Sequence, residues 1–237
     1  AGMLLYNAVK QDVETDNHFL PAIHLDGPEG TQLLAFYNSH TGVKAVFTPG
    51  VSTLVQGDVI AGFSSRGGVN QNLGVSKPDI TAPGVQILAG HTPKSVDIAT
   101  GPQGQLFQAI AGTSMSSPHI AGAGALLKSL RPNWTPGQIK SAIMMTAKHM
   151  GVVKENGVTP AGPFDFGSGR VDLTKAGDPG LTISETGANF VALENQLWKA
   201  NYPSLYVPVM PGKITVQRTA HNLANSTVVW RISVVNS

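Results

Sequence analysis

Gly112-Thr113-Ser114-Met115-Ser116-Ser117-Pro118-His119-Ile120-Ala121-Gly122 is the stretch on which the reading of this chain turns. It places a serine where a glycine turn delivers the backbone into a helix rich in small residues. A helix start leaves backbone N–H groups unpaired and carries the positive end of the helix dipole, so negative charge developing beside Ser114 in an acyl-transfer step would be stabilised there. Gly112 lets the backbone turn tightly and leaves room for a carbonyl beside the serine. Pro118 is expected in the first helical turn, where its missing N–H costs little. The run Ala121-Gly122-Ala123-Gly124-Ala125 predicts close packing of the helix against a sheet, which would hold the serine on a rigid element. The plainer alternative is that Thr113, Ser114, Ser116 and Ser117 are only caps for a buried helix, and local physics alone favours it. His119 lies five positions after Ser114, more than one helical turn away, which makes it a poor general base.

Outward from this stretch, short apolar segments alternate with helices. Val59-Ile60-Ala61 and Val85-Gln86-Ile87-Leu88-Ala89 read as short buried strands separated by Gly/Pro turns, with Phe63-Ser64-Ser65-Arg66-Gly67 and Lys77-Pro78-Asp79-Ile80-Thr81-Ala82-Pro83-Gly84 between them. A helix is predicted from about Ser114 to Leu130. A second is announced by Thr135-Pro136-Gly137-Gln138, with Thr135 as N-cap, Pro136 at the first helical position and Gln138 completing a capping box. Ile139, Ala142, Ile143 and Thr146 then give one apolar face, and strands alternating with helices imply an α/β layer architecture.

Residues 1 to 49 read as a small α+β piece, with strand-like runs at Met3 to Tyr6 and Lys44 to Phe47 and one or two helical turns at Gln32 to Ser39. The chain opens inside an apolar run, so the partners of its first strand are expected outside this sequence. After Gly177-Asp178-Pro179-Gly180 the pattern becomes alternating, in Leu205 to Val209, Ile214 to Thr219 and Thr227 to Ile232, which predicts an antiparallel β module. That module reaches Ser237 without a closing strand, so both ends read as cut. There is no internal repeat.

The chain has 237 residues, enough for one substantial core or for parts of several domains. Its 16 Lys+Arg nearly balance 14 Asp+Glu, which argues against a nucleic-acid partner. With no cysteine there is no disulfide framework, thiolate metal site or thiol nucleophile. No apolar run approaches the roughly 20 residues of a membrane span, and no secretory leader is recognisable at Ala1. His18, His24, His40, His91, His149 and His221 show no metal-ligand spacing, and the glycine-rich runs do not match a phosphate loop. No metal or cofactor is called for. Met115 is read as core filler. Asn133-Trp134-Thr135 and Asn225-Ser226-Thr227 fit the glycosylation acceptor pattern, which matters only in a eukaryotic secretory host.

The eleven residues from Gly112 to Gly122 match without a gap the serine signature of the subtilisin-like proteases, the subtilases, which they resemble. Ile60-Ala61-Gly62-Phe63-Ser64-Ser65-Arg66-Gly67, Lys77 to Gly84, Pro132-Asn133-Trp134-Thr135 and Phe166-Gly167-Ser168-Gly169-Arg170-Val171 follow in family order, covering about residues 50 to 177. The resemblance implies that Ser114 is the nucleophile and that its backbone N–H forms part of the oxyanion hole. It also implies an aspartate and a base histidine, each in a glycine-containing motif ahead of the serine, and neither motif is found here. Asp26-Gly27 and His40-Thr41-Gly42 are superficial echoes. The oxyanion asparagine and the glycine-rich strand of the substrate cleft have no match either.

Leu4-Leu5-Tyr6-Asn7, Phe19 to Leu25 and Gly42 to Ala45 resemble the end of a protease-associated domain. Asn201-Tyr202-Pro203-Ser204 and Val216 to Asn222 resemble the opening of a fibronectin-type-III-like domain. The resemblance therefore implies three parts: 1–49 from the protease-associated domain, 50–177 as the C-terminal part of a parallel-sheet catalytic domain with helices on both faces, and 178–237 as the start of the β domain. It implies a secreted serine endopeptidase acting on protein or peptide substrates. This chain is expected to be inactive without the upstream half of the catalytic domain, and to expose an apolar sheet edge and face without it. The alternative is a non-catalytic binding or structural chain derived from a subtilase, motivated by the absent base.

Overall fold

Asp26 ends an extended segment, and its carboxylate accepts a hydrogen bond from the Gly27 amide at 2.7 Å. That cap, with Pro28 in the first turn, starts helix α1, Gly27–Ser39. The extended segment before it is strand β2, Ala22–Leu25, which pairs in parallel with strand β1, Met3–Tyr6, in the register Met3↔Ala22 to Tyr6↔Leu25. The partner of the opening strand thus lies within the chain, contrary to expectation. The signal was the Ala-Ile-His-Leu alternation between Pro21 and the Asp26 cap. Helix α1 is also longer than the turn or two read from Gln32 to Ser39, because Pro28 and Gly30 lie inside it and conceal its first turn. Gly30 is buried against the Tyr6 ring. Lys44 to Phe47 forms no strand.

The computed structural model describes residues 1–10, 13, 18, 20–68, 74–94, 103–194 and 196–234. Phe19 and Ser237, named in the sequence reading, lie outside the described residues. The chain divides into two compact units.

The first unit comprises Ala1–Ser65, Ala82–His119 and Gly151–Ala161. Besides β1, β2 and α1 it contains strand β3, Ile87–Gly90, antiparallel to strand β4, Phe107–Ile110. Large apolar side chains stay exposed on both sheets, among them Leu4, Leu5 and Ile23 on one and Leu88 and Phe107 on the other. Among the described residues Val59-Ile60-Ala61 makes a single parallel bridge, between Val59 and Val153.

The second unit comprises Arg66–Thr81, Ile120–Met150 and Gly162–Ser237. Its centre is a crossing of three backbone segments. The Thr81 amide donates to the Gly169 carbonyl and the Val171 amide to the Thr81 carbonyl, both at 2.9 Å, while Lys148 and Arg170 exchange amide bonds at 2.9 and 2.7 Å. The Phe166 to Val171 motif is thus a strap between two other segments. Helix α2, Thr113–Leu130, begins in the first unit, and its residues from Ile120 on belong to the second. Helix α3, Pro136–Met145, starts at the predicted capping box: Thr135 Oγ1 accepts from the Gln138 amide at 3.2 Å, and Gln138 Oε1 accepts from the Thr135 amide at 3.0 Å. Thr135→Ala is expected to cost about 1 kcal/mol, read as a lower urea midpoint at unchanged slope. An unshifted midpoint would show that the box contributes nothing.

Ala123, Leu127, Trp134, Ala142, Ile143 and Ala176 form the core of this unit. Full burial of a leucine or isoleucine side chain contributes about 1.5–3 kcal/mol, more than helix propensity supplies per residue, so packing fixes α2 on α3. A short helix α4, Pro163–Phe166, carries Asp165, whose carboxylate pairs with Arg66 Nε at 3.0 Å.

The β module expected after residue 180 is nearly absent among the described residues. Only strand β5, Leu181–Thr182, pairs with strand β6, His221–Asn222, on either side of a short helix α5, Gly187–Ala192. Pro208 interrupts the first alternating run and Pro211 follows it, and alternation specifies which face a side chain takes, not which backbone it pairs with. In place of ladders, Arg218 donates to the carbonyls of Tyr202, Trp198 and Ser204 at 2.8 to 3.2 Å, and Asn201 bonds the carbonyls of Ser184 and Thr219. Burial pulls the Arg218 guanidinium below its ordinary range, against the opposing effect of Glu185. Burial works to raise the Glu185 carboxyl, but amide bonds from Asn201 and Thr186, with Asn189 and Arg218, hold it below its usual value.

The multi-stranded parallel sheet expected for 50–177 is likewise not formed among the described residues. What remains parallel there is single bridges, Val59 with Val153 and Thr81 with Arg170. Pro78 and Pro83 flank Thr81 and lack the N–H groups that would extend that bridge into a ladder. Among the described residues the fold is helices with small two-stranded sheets, one parallel and two antiparallel.

Near the strap, Asp172 accepts from the Thr174 amide at 2.9 Å, from the Thr174 hydroxyl at 2.7 Å and from Lys148 Nζ at 3.0 Å. These bonds, the Thr174 amide first, hold its carboxyl well below the usual carboxylate range. A depressed folded value gives stability that is present above the unfolded value, near pH 4, and is lost as pH falls below it. Asp172→Asn is therefore expected to flatten the fall in urea midpoint below about pH 4. Parallel profiles for variant and wild type would refute it.

Candidate active site

Ser114 is the second residue of the 18-residue helix α2. Its approach is built by backbone in the first unit: the Gly112 amide donates to the Gly84 carbonyl at 2.8 Å, and the Met115 amide donates to the Gly112 carbonyl at 2.9 Å. Gly112 has φ of 155°, where a side chain is disfavoured. A Cβ there would meet only ordinary contacts, so the turn and not crowding demands glycine. Gly84 is the converse case. A Cβ on it would lie 2.3 Å from Ser116 Oγ and 2.9 Å from the Gly112 carbonyl oxygen.

The cluster of hydroxyls divides by role. Ser116 Oγ donates to the Ala82 carbonyl at 2.8 Å and ties the first turn of the helix to the Lys77 to Gly84 motif. Ser114 is exposed, and among the described residues its side chain makes no hydrogen bond. No cap bond from Thr113, Ser114, Ser116 or Ser117 to a helix amide is found among the described residues, so the capping alternative has no support there. The first turn holds no acidic side chain, and the positive end of the helix is not offset.

Pro118 is the sixth helical residue, one turn later than expected. From there it cannot donate to the Ser114 carbonyl four residues earlier, and its ring crowds that carbonyl. The helix therefore carries a built-in irregularity under the serine. The small-residue run also behaves differently from expectation. Gly122 faces open space, while Ala123 is buried and a Cβ added to Gly124 would lie 4.0 Å from Ile139 of α3. The helix rests on another helix through Ala123 and Leu127, which share one face at the i, i+4 spacing.

His119 is exposed, and its Nδ1 lies 2.8 Å from the Met115 carbonyl on its own helix. It is turned along the helix and holds no bond to Ser114. Asp26 and His40 stand at opposite ends of α1, about 20 Å apart at 1.5 Å per residue, so they form no dyad. Asp26 serves as the N-cap, and His40 stacks on Phe36 with ring centroids 4.1 Å apart. Among the described residues no group of three His, Cys, Asp or Glu side chains is arranged to hold a metal ion. No helix among them is long and apolar enough to cross a membrane.

The residues that sequence reasoning missed at the site are Gly84 and Ala82. Both stood in a quoted motif, but only the fold reveals that their carbonyls receive the Gly112 amide and the Ser116 hydroxyl.

The chain is 35% identical to "Subtilisin-like protease SBT5.4" of Arabidopsis thaliana over 94% of its length, covering 33% of that protein. It is 39% identical to "Subtilisin-like protease SBT1.3" over 76% of its length and 37% identical to "Subtilisin-like protease SBT3.4" over 90%, both from the same plant, covering 24% and 31% of them. It thus spans a third or less of each of these relatives. Residues 26–181 match the pattern described as the Subtilase family, two thirds of the chain with Ser114 inside, and the chain belongs to that family.

Proposed function

We propose that Ser114 is the nucleophile of a serine endopeptidase whose base histidine and orienting aspartate are supplied by a separate upstream segment of the catalytic domain. The observation that carries this reading is an exposed serine hydroxyl without a hydrogen-bond partner among the described residues, held at the uncompensated N-terminus of an 18-residue helix. In the reaction, Ser114 Oγ forms a bond to the scissile carbonyl carbon and its proton passes to the histidine. The oxyanion accepts from the Ser114 amide. The C–N bond then breaks as the histidine returns the proton to the leaving amine, and water releases the acyl group from Ser114.

In this reading residues 1–49 end a protease-associated domain, 50–177 complete a parallel catalytic sheet covered by helices, and 178–237 open a fibronectin-type-III-like domain. The family match supports the middle assignment and begins inside the first. Protein or peptide substrates and an extracellular location follow from the same family resemblance.

A fluorophosphonate probe tests the proposal. Labelling of Ser114 only when the upstream segment is supplied is the expected result. Absence of labelling with that segment bound would favour the second reading, a non-catalytic binding chain, motivated by the lack of any histidine hydrogen-bonded to Ser114 among the described residues.

A further inference from the structure

We propose that Asn225 is a site of N-linked glycosylation and that Asn133, the other acceptor triplet, is not. The proposal rests on the reading of the parent enzyme as secreted. Strand β6 ends at Asn222, whose side chain then organises the turn that follows: its Oδ1 accepts from the Ala224 amide at 3.2 Å, and its Nδ2 donates to the Ser226 carbonyl at 3.0 Å. The Leu223 amide is anchored to the Gly180 carbonyl at 3.0 Å. Asn225 therefore stands on a bend clamped at its base. Asn225, Ser226 and Thr227 are all exposed, and among the described residues none of their side chains makes a hydrogen bond.

The triplet at Asn133 fits the same acceptor pattern in a different setting. Asn133 is exposed, but Trp134 is buried in the α2–α3 core, with Arg131 stacked 5.8 Å from its ring. The Thr135 hydroxyl accepts from the Gln138 amide as the N-cap of α3. Lys128 Nζ fixes the flanking backbone by donating to the carbonyls of Pro132 at 2.7 Å and Trp134 at 2.9 Å. Glycan transfer needs the triplet presented with its hydroxyl free, and local helix contacts between residues close in sequence compete with that from early in folding.

In the transfer, Asn225 Nδ2 forms a bond to the anomeric carbon of a polyisoprenyl-diphosphate oligosaccharide. The bond from that carbon to the diphosphate oxygen breaks, the lipid diphosphate leaves, and Nδ2 gives up one proton. The product is a bulky, solvated group on an exposed bend.

The test is expression of this chain behind a secretory leader in a eukaryotic host, with a reporter acceptor triplet appended at its C-terminus. The reporter's glycan shows that the chain entered the secretory route, independently of where the parent enzyme resides. Two glycans removable by an amide-cleaving glycosidase are expected, falling to one in Asn225→Gln and staying at two in Asn133→Gln. A reporter glycan alone, three glycans, or a loss that follows Asn133→Gln would overturn the proposal. Thr227→Ala, which leaves Asn225 in place, should give the same single glycan as Asn225→Gln.

Discussion

Ser114→Ala, in the chain combined with its upstream segment, is expected to lose fluorophosphonate labelling completely and to lower peptide turnover on the order of 10⁶-fold, the size found when a serine nucleophile acts as a unit with its partners. The substitution removes one oxygen from an exposed side chain that makes no hydrogen bond among the described residues. Its effect on stability should stay within about 0.5 kcal/mol, as for surface changes away from caps and buried networks. Loss of labelling with an unchanged thermal midpoint therefore separates chemistry from folding. His119→Ala supplies the contrast. Its ring is bonded to the Met115 carbonyl and makes no hydrogen bond to the serine, so labelling should change less than about tenfold, or 1.4 kcal/mol. Abolition of labelling by His119→Ala would mean that the base lies within this chain and would sink the upstream-base reading.

What could be read from the letters follows from the range of the interactions involved. The capping box at Thr135 and the extent of α2 depend on residues a few positions apart, and both lie where they were expected, with Ser114 in the first turn of α2. Helix α1 was only partly legible because its signal, Asp26 followed by Pro28, is interleaved with Gly27 and Gly30, which look like a loop. Sheet pairing was the least legible. Met3–Tyr6 and Ala22–Leu25 each look like strands, yet nothing in either run states that one pairs with the other. Likewise, Arg218 reads as one polar residue in an alternating stretch, while in the fold it gathers three carbonyls from 14 to 20 residues away. At the site, Ser114 was legible from its motif, and the tether from Ser116 to Ala82 was not, since it spans 34 residues.

That tether leads to the second large effect. Gly84→Ala is expected to lower the labelling rate of Ser114 by at least tenfold, about 1.4 kcal/mol, and to lower the thermal midpoint. A new Cβ would stand 2.3 Å from Ser116 Oγ and 2.9 Å from the Gly112 carbonyl oxygen, both closer than ordinary contact. Relief requires Ser116 to leave the Ala82 carbonyl, or the Gly112 turn to move, and overpacking of this kind costs roughly 1–3 kcal/mol. Since the same turn carries Ser114, a shift of even a few tenths of an ångström displaces the oxygen that must meet the substrate. The sign of a double substitution makes the argument specific. Ser116→Ala alone should be mildly harmful, by about 1 kcal/mol for a lost hydrogen bond. Added to Gly84→Ala it removes the closest clash, so the pair should label faster and melt higher than Gly84→Ala by itself, a favourable coupling between neighbours. The remaining approach to the Gly112 carbonyl keeps the recovery incomplete. Wild-type labelling and midpoint in Gly84→Ala would show that this glycine does not set the helix start, and simple addition of the two single effects would show that Ser116 is not what the methyl strikes.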